Sequence, residues 1–195
     1  MKRINVVGIS GSGKTTFSRA LSDALDIAYF QMDQLYWKKD WQEPTDAEFV
    51  PKVREVVATD AWVLDGNYHS RTHSIKWQRA DTVVWLDYGF ITTFLQLLKR
   101  SIERAATGEE LWPNTGNRES FRKTFFDRSS VLLWFLKCYR QSKRRYRAIM
   151  HSNEFPNVRF IRISGRGEAE RFLERAWVGE EFGDAKADVS VQRSS

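Results

Sequence analysis

The sequence predicts a three-layer α/β fold, in which helices cover both faces of a parallel sheet. Two observations predict it. Five short apolar runs alternate with stretches of helical periodicity along the 195 residues, and this alternation is typical of parallel strands joined by helices. A glycine-rich segment, residues 8–15, also stands between the first apolar run and the first helical stretch. The chain length fits a single domain, which we assign to residues 1–176.

The first strand (residues 4–7) leads into a segment with the pattern of a phosphate-binding loop. Residues 8–15 read Gly-Ile-Ser-Gly-Ser-Gly-Lys-Thr, which is a glycine, four free positions and then Gly-Lys-Thr. Backbone N–H groups must point at a polyphosphate in such a loop, and side chains at the glycines would obstruct that approach. A strand, this loop and then a helix predict an ATP site of the P-loop NTPase type. The predicted nucleotide-binding residues are Gly8, Ser10, Gly11, Ser12, Gly13, Lys14, Thr15 and Thr16.

Two of these residues have distinct predicted roles. Lys14 would reach the terminal phosphates as a point charge, and Thr15 would offer its hydroxyl to Mg²⁺. The helix that starts near Lys14 would add its N-terminal dipole. A later strand, residues 61–65, ends in Asp65-Gly66, so Asp65 is well placed to hold Mg²⁺ opposite Thr15. The alternative for Asp65 is a simple Asp-Gly turn, and the phosphate loop favours the metal role.

The second strand (residues 28–32) is followed by Asp33. An acid at the carboxyl end of a parallel strand points into the crevice where open α/β sheets bind ligands. Asp33 could there accept a proton from an acceptor hydroxyl, or it could equally cap the following turn. Residues 38–60 then form a predicted acceptor-side insertion, whose helix starts at the capping-box spacing of Thr45 and Glu48. Pro51 predicts a kink in that helix or a later start.

A strand at residues 82–87 precedes a helix that carries Arg100 and Arg104. Residues four apart share one helix face, and two converging guanidinium groups suit a phosphoryl group in transit between donor and acceptor. A solvated basic face is the alternative. The glycine-containing, basic stretch 107–128 has the mobility and charge of a lid that closes on ATP. We therefore predict nucleotide contacts for Arg118 and Arg122.

The remaining chain contains a long helix, a last strand and a tail. The helix, residues 129–150, carries a basic stripe that suits nucleic-acid contact, although a solvated face or a lid support is favoured. A strand at 158–163 is followed by a loop, residues 164–167, expected near the nucleotide base. A helix through Ala176 follows, and residues 177–195 are predicted to be a disordered tail. The stripe comprises Lys137, Arg140, Arg144 and Arg147.

The amino-acid composition limits the ligands and the cellular location that we expect for this protein. The net charge of +6 fits an anionic ligand, and a nucleotide satisfies it as readily as a nucleic acid. The single Cys138 excludes an internal disulfide. No apolar stretch reaches bilayer-spanning length, and no signal-peptide core follows the first three residues. We expect a soluble cytoplasmic protein, monomeric or homodimeric. Tryptophans beside polar residues could line a cleft, with core packing the default: Trp37, Trp41, Trp62, Trp77 and Trp112.

Several of these segments resemble known kinases. Leu64-Asp65-Gly66 is similar to the Leu-Asp-Gly of adenylate and other nucleoside monophosphate kinases, and the Arg100–Arg104 pair looks like the arginine pair that leads into their lid. A closer resemblance is to adenylate-kinase-like proteins of the FlaR-type DNA topology modulation family. It covers about residues 1–165 and rests on four segments: 33–37, 62–68, 79–87 and 111–121.

The resemblance implies a nucleoside monophosphate kinase-like fold with short acceptor-binding and lid insertions. Adenylate kinases carry an arginine three residues after the Gly of this motif, where this chain has His69, and its nearest arginine is Arg71. That departure argues against AMP as the acceptor. Asp33 is instead similar to the acid that contacts the acceptor hydroxyl in shikimate- and gluconate-type kinases.

Together these features predict transfer of the γ-phosphoryl group of MgATP to a small acceptor, either a nucleoside monophosphate or a hydroxyl metabolite. The predicted catalytic residues are Lys14, Asp33, Arg100 and Arg104, and the predicted metal ligands are Thr15 and Asp65. Two alternatives stay open at this point. One is a nucleotide-regulated DNA-binding protein that uses the basic helix, and the other is a bare NTPase whose lid closes on water.

Overall fold

A five-stranded parallel sheet forms the centre of the computed structural model, which describes residues 1–121 and 130–180. The strand order is β2-β3-β1-β4-β5, and every neighbouring pair is parallel. This confirms the predicted α/β class. The strands are β1 Arg3–Gly8, β2 Tyr29–Gln31, β3 Trp62–Asp65, β4 Thr82–Leu86 and β5 Arg159–Ile163.

Helices cover both faces of this sheet. Side chains that alternate along β3 and β4 point to opposite faces, and both strands are buried throughout because both faces are covered. One face packs against α3, α4 and α6, and the other packs against α1 and α7. In the described ranges the helices are α1 Lys14–Leu25, α2 Met32–Tyr36, α3 Asp46–Ala58, α4 His69–Trp77, α5 Phe90–Thr107, α6 Val131–Met150 and α7 Arg166–Trp177, with a 3₁₀ turn at Lys39–Trp41.

Strand register brings the phosphate loop and Asp65 to the same edge of the sheet. Val6 pairs with Asp65, and Gly8 pairs with Leu86. The carboxyl ends of β1, β3 and β4 therefore meet where open α/β sheets bind their ligands.

The observed elements differ from the sequence prediction at four places. The second strand ends at Gln31, so Asp33 lies in the first turn of α2 rather than at a strand end. Helix α3 begins at Asp46 behind the predicted capping box of Thr45 and Glu48, but it includes Pro51, so the alternative of a later start is wrong. Helix α4 has no counterpart in the prediction. Helix α7 includes Trp177, whereas residues 181–195 of the predicted tail lie outside the described residues.

Helix α4 escaped prediction because its sequence, His-Ser-Arg-Thr-His-Ser-Ile-Lys-Trp, lacks apolar periodicity. Its buried residues are Thr72, Lys76 and Trp77, and two of these are polar. The indole of Trp77 donates to Asn5 Oδ1 at 2.8 Å, and this hydrogen bond satisfies a polar group in the core. No helix in the described ranges combines the length and apolar character that a membrane span requires.

Candidate active site

The phosphate loop leaves β1 at Gly8 and enters α1 at Lys14. Gly11 has φ +85°, and a Cβ atom there would lie 2.7 Å from the carbonyl oxygen of Thr93. Gly13 has φ +81° and caps the helix, with no heavy atom within 4 Å of the place a Cβ would take. The close approach at Gly11 explains why packing requires glycine there. The open space around Gly13 leaves backbone N–H groups accessible to a ligand.

Two polar side chains of the loop, Lys14 and Ser12, are placed where an anion could bind. Lys14 Nζ donates to the carbonyl oxygen of Ile9 at 3.1 Å, which holds its ammonium group against the loop. Burial lowers the pKa of Lys14, and the negative charges of Asp65 and Asp33 oppose that shift. Ser12 Oγ is buried without a hydrogen-bond partner in residues 1–121 and 130–180. The oxygens of a polyphosphate would satisfy such donors. The other two predicted contacts are Ser10, which is half-buried, and Thr16, which is exposed on α1.

Thr15 and Asp65 lie in direct contact. The Thr15 hydroxyl donates to Asp65 Oδ2 at 2.6 Å, and the Tyr29 hydroxyl approaches the same oxygen at 3.3 Å. Burial raises the pKa of Asp65, and Lys14 and the Thr15 hydrogen bond oppose that rise. A hydroxyl and a carboxylate at this distance are the oxygen ligands that Mg²⁺ takes beside phosphates. The residues present therefore fit a magnesium ion.

Asp33 is oriented by Tyr68. The Tyr68 hydroxyl donates to Asp33 Oδ1 at 2.7 Å, and burial, followed by the charge of Asp33, raises the pKa of Tyr68. The negative charge of Asp33 opposes the lowering of the pKa of both Lys14 and Arg100, which indicates that the carboxylate lies near the phosphate loop. The turn after α2 is closed by the backbone, through Trp37 N and the carbonyl oxygen of Asp33. This geometry favours the ligand-facing interpretation of Asp33 over the turn-capping one.

The two arginines of α5 have different surroundings. Arg104 Nη1 donates to Glu119 Oε1 at 3.1 Å. Arg100 Nε is buried and lacks a hydrogen-bond partner among the described residues. Burial and the neighbouring Arg104 lower the pKa of Arg100, whereas Glu119, Asp33 and Asp65 oppose the shift. Arg100 Nε is therefore a buried donor to which an anion could bind.

The described part of the predicted lid is a compact loop. Glu110 and Arg118 form an isolated antiparallel bridge, and the Arg118 side chain is exposed. The side chain of Asn117 donates to the carbonyl oxygen of Lys38 at 2.9 Å and accepts from Trp41 N at 2.8 Å. These bonds join the loop to the predicted acceptor-side insertion. Arg122 lies outside the described residues.

The tryptophans divide into two groups. Trp62 and Trp77 are core residues. Trp37, Trp41 and Trp112 pack on one another, with ring centroids 5.5 to 6.3 Å apart. This trio reinforces the Asn117 contacts between the lid-like loop and the insertion.

The Arg71 side chain is paired with carboxylates of the predicted acceptor-side insertion. Its guanidinium lies 3.6 Å from Glu43 and 3.4 Å from Asp46, and it covers the Tyr36 ring at 5.4 Å. His69 packs against His73 and Trp77, and burial lowers its pKa to about 4. His69 is therefore neutral at neutral pH. Neither residue offers a free positive charge to an acceptor phosphate.

The basic stripe of α6 faces solvent. Its four members are exposed, and none forms an ion pair within the described ranges. Lys143 on the same helix differs, because its ammonium lies 2.9 Å from Asp87. The stripe consists of Lys137, Arg140, Arg144 and Arg147.

Sequence reasoning missed two polar residues beside the site, Asn67 and Lys76. The Asn67 side chain bonds the backbone of Gly8. Lys76 Nζ donates to the carbonyl oxygens of Gly66 at 3.2 Å and Asn67 at 2.5 Å. Nothing in the sequence marks Lys76, whereas Asn67 carries the weak signal of directly following Asp-Gly.

The buried Lys76 should make the free energy of unfolding depend on pH. Burial lowers its pKa to about 7, although Asp65 opposes the shift. Between that value and the unfolded value of 10.5, the unfolded chain holds a proton that the folded chain has released. We therefore expect the free energy of unfolding to rise by about 2 kcal/mol from pH 7 to pH 9. Lys76→Met should remove this rise in urea titrations.

The matched control for this measurement is Lys52→Met, because Lys52 is exposed on α3. Its unfolding free energy should follow the wild-type pH dependence. Equal slopes for Lys76→Met and the wild type would contradict the assignment of the pH dependence to Lys76.

Comparisons with known proteins give structural matches only. No protein-family model and no curated protein matches the chain. Among solved structures, a shikimate kinase from Bacteroides thetaiotaomicron matches with TM-score 0.50 and 14% identity, over 89% of this chain and 95% of that one. This match shows a shared fold. A sugar kinase from a Janibacter species (TM-score 0.49, 18% identity, 92% and 95% covered) and a gluconokinase from Sinorhizobium meliloti (0.49, 15%, 91% and 90%) also match.

Proposed function

We propose that this protein transfers the γ-phosphoryl group of MgATP to the hydroxyl of a small acceptor. The observation that carries the proposal is the convergence of Lys14, the Thr15–Asp65 pair, Arg100 and the Tyr68-oriented Asp33 at one edge of the sheet. Phosphoryl transfer requires positioning and charge stabilisation above all. This set of residues supplies both.

We assign each residue a role that corresponds to its contacts in the site. Lys14 and the loop N–H groups hold the β- and γ-phosphates, and the buried Arg100 Nε donates to the transferred group. Thr15 and Asp65 would hold Mg²⁺, which would supply further neutralisation of the phosphate charge. The acceptor oxygen bonds to the γ-phosphorus while the bond from phosphorus to the bridging oxygen breaks, so ADP leaves. Asp33 accepts the hydroxyl proton.

Further arginines belong to the same proposal. Arg104 lies one helical turn after Arg100, where it adds positive charge and pairs with Glu119. Arg118 and Arg122 would reach the nucleotide from the lid side.

We favour a hydroxyl metabolite over a nucleoside monophosphate as acceptor. A second phosphate needs cations on the acceptor side. There Arg71 is already paired with Glu43 and Asp46, and His69 is neutral. Asp33 suits an uncharged hydroxyl, because a carboxylate accepts its hydrogen bond.

The test is ADP release from MgATP with and without a panel of acceptors: AMP, CMP, UMP, dTMP, shikimate and gluconate. We expect shikimate or gluconate, which offer hydroxyls and carry a single carboxylate instead of a doubly charged phosphate, to stimulate release above background. Stimulation by AMP would overturn the choice of acceptor class. A background that depends on Lys14 and responds to no acceptor would favour the NTPase alternative.

A nucleic-acid partner is the second candidate, supported by the exposed basic stripe of α6. Under this alternative, DNA affinity would fall steeply with salt. Replacing Lys137, Arg140, Arg144 and Arg147 with glutamine would reduce the slope of log affinity against log salt by up to about 3 to 4 units. The measurement is fluorescence anisotropy across a salt series. An unchanged slope in the quadruple variant would exclude this helix as the DNA contact.

A further inference from the structure

Asn67 bonds both the backbone N–H and the carbonyl oxygen of Gly8, the first residue of the phosphate loop. Asn67 Nδ2 donates to the carbonyl oxygen of Gly8 at 2.7 Å, and Asn67 Oδ1 accepts from Gly8 N at 3.0 Å. A single side-chain amide therefore satisfies both polar backbone groups of one residue. Among side chains, only an amide carries a donor and an acceptor in this arrangement.

These two bonds continue the pairing of β1 with β3. The backbone register runs from Arg3 with Trp62 to Val6 with Asp65, and Gly66 N then donates to the carbonyl oxygen of Val6 at 3.1 Å. Beyond that point the Asn67 side chain replaces the missing backbone partner. The connection between the phosphate loop and the segment that carries Asp65 thus extends to Gly8 itself.

Asn67 is itself fixed from its far side. The Tyr146 hydroxyl donates to Asn67 Oδ1 at 3.1 Å, and the Tyr146 ring packs on Trp85 with centroids 5.6 Å apart. Lys76 Nζ holds the Asn67 carbonyl oxygen. Lys76 of α4 and Tyr146 of α6 therefore hold Asn67 in place. Through its two hydrogen bonds, Asn67 in turn fixes the position of Gly8.

Resting on the proposed function, we propose that Asn67 is a positioning residue that sets the separation between the phosphate loop and Asp65. MgATP engages the loop through its phosphates and Asp65 through the metal, so it needs both at a fixed separation. A nucleotide without the metal needs only the loop. Loss of Asn67 should therefore reduce the gain in affinity that Mg²⁺ gives more than it reduces metal-free affinity.

The side-chain chemistry ranks the variants. Asn67→Ala removes both bonds to Gly8. Asn67→Asp keeps the size of the side chain but puts a carboxylate against the Gly8 carbonyl oxygen, where two acceptors face each other. Tyr146→Phe leaves both bonds to Gly8 and removes only the support behind Asn67. Asn153, which is exposed after α6, gives the matched control Asn153→Asp.

The experiment is calorimetric titration of a non-hydrolysable ATP analogue with Mg²⁺ and with EDTA, together with urea unfolding of every protein. For Asn67→Ala and Asn67→Asp we expect at least tenfold weaker binding with Mg²⁺, but less than threefold weaker binding in EDTA. Tyr146→Phe should show a smaller shift in the same direction. Asn153→Asp should match the wild type.

The outcomes separate the two proposals. A wild-type protein that binds no analogue, with or without Mg²⁺, would overturn the proposed function and this inference with it. A wild type that binds normally, with Asn67 variants that keep its full Mg²⁺ effect, would overturn the inference alone. Equal weakening in Mg²⁺ and EDTA, together with a lowered urea midpoint, would assign Asn67 a structural role and also overturn it.

Discussion

The Lys14→Ala protein is expected to lose phosphoryl transfer by about a thousandfold while it keeps its fold. Lys14 is the partly buried cation of the phosphate loop, held at the Ile9 carbonyl within reach of the charges of Asp65 and Asp33. A preorganised charge in a site shielded from water contributes roughly two to three orders of magnitude to the rate. Alanine removes that charge without replacing it.

Stability should move little, or rise. Burial already lowers the pKa of Lys14, which means that the folded protein holds this charge at a cost. Removing it relieves the cost and leaves β1 and α1 intact. Thermal unfolding and circular dichroism would show a native protein, so a loss of rate could not be attributed to misfolding.

The matched control is Lys99→Ala. Lys99 is exposed on α5 and forms only a surface pair with Glu103 at 3.8 Å, which contributes little to stability. Its rate of ADP release should equal that of the wild type. A Lys14→Ala protein with the wild-type rate would remove the proposed function, because no other described residue places an ammonium group in the loop.

Features that depend on local chemistry could be predicted from the sequence alone. The glycine pattern of residues 8–15 predicts the loop because few other residues tolerate its backbone and close contacts. Apolar runs predict the five strands because both faces of a parallel sheet are buried. Asp65 was predictable as a loop partner because it ends a strand, and the structure brings it within 2.6 Å of Thr15.

Features that depend on distant contacts were not predictable. Helix α4 is held by the core residue Trp77 and by the buried polar residues Thr72 and Lys76, without an apolar stripe along the helix. The partners Tyr68 for Asp33 and Tyr146 for Asn67 lie 35 and 79 positions away. The link between the lid-like loop and the insertion depends on Asn117, whose partners are 76 and 79 positions away. Spacing along a chain does not encode such pairs.

The ion-pair partners of the arginines could not be predicted from the sequence either. Arg100 and Arg104 look equivalent in the sequence, since both lie on one face of a helix. The structure separates them, because Glu119 from the lid-like loop pairs with Arg104 while Arg100 Nε keeps no partner among the described residues. Arg71 is the arginine nearest to the position where adenylate kinases carry their acceptor arginine, and its guanidinium is paired with Glu43 and Asp46.

Asp33→Asn is expected to reduce the acceptor-stimulated rate by about a hundredfold to ten-thousandfold, the range for removal of a general base. The amide oxygen can still accept the Tyr68 hydrogen bond made by Asp33 Oδ1, so the side chain should keep its orientation. It loses its negative charge, and with it the capacity to take the acceptor proton. The KM for ATP should stay close to the wild-type value, because the phosphate loop is untouched.

The assay compares ADP release with and without the acceptor found in the panel, and Asp60→Asn, an exposed change after α3, is the control. Loss confined to the acceptor-stimulated rate would assign Asp33 to the acceptor, since background hydrolysis depends on Lys14 and the metal pair instead. Equal loss in both rates would contradict this role. It would mean that Asp33, which acts electrostatically on Lys14 and Arg100, serves the nucleotide rather than the hydroxyl.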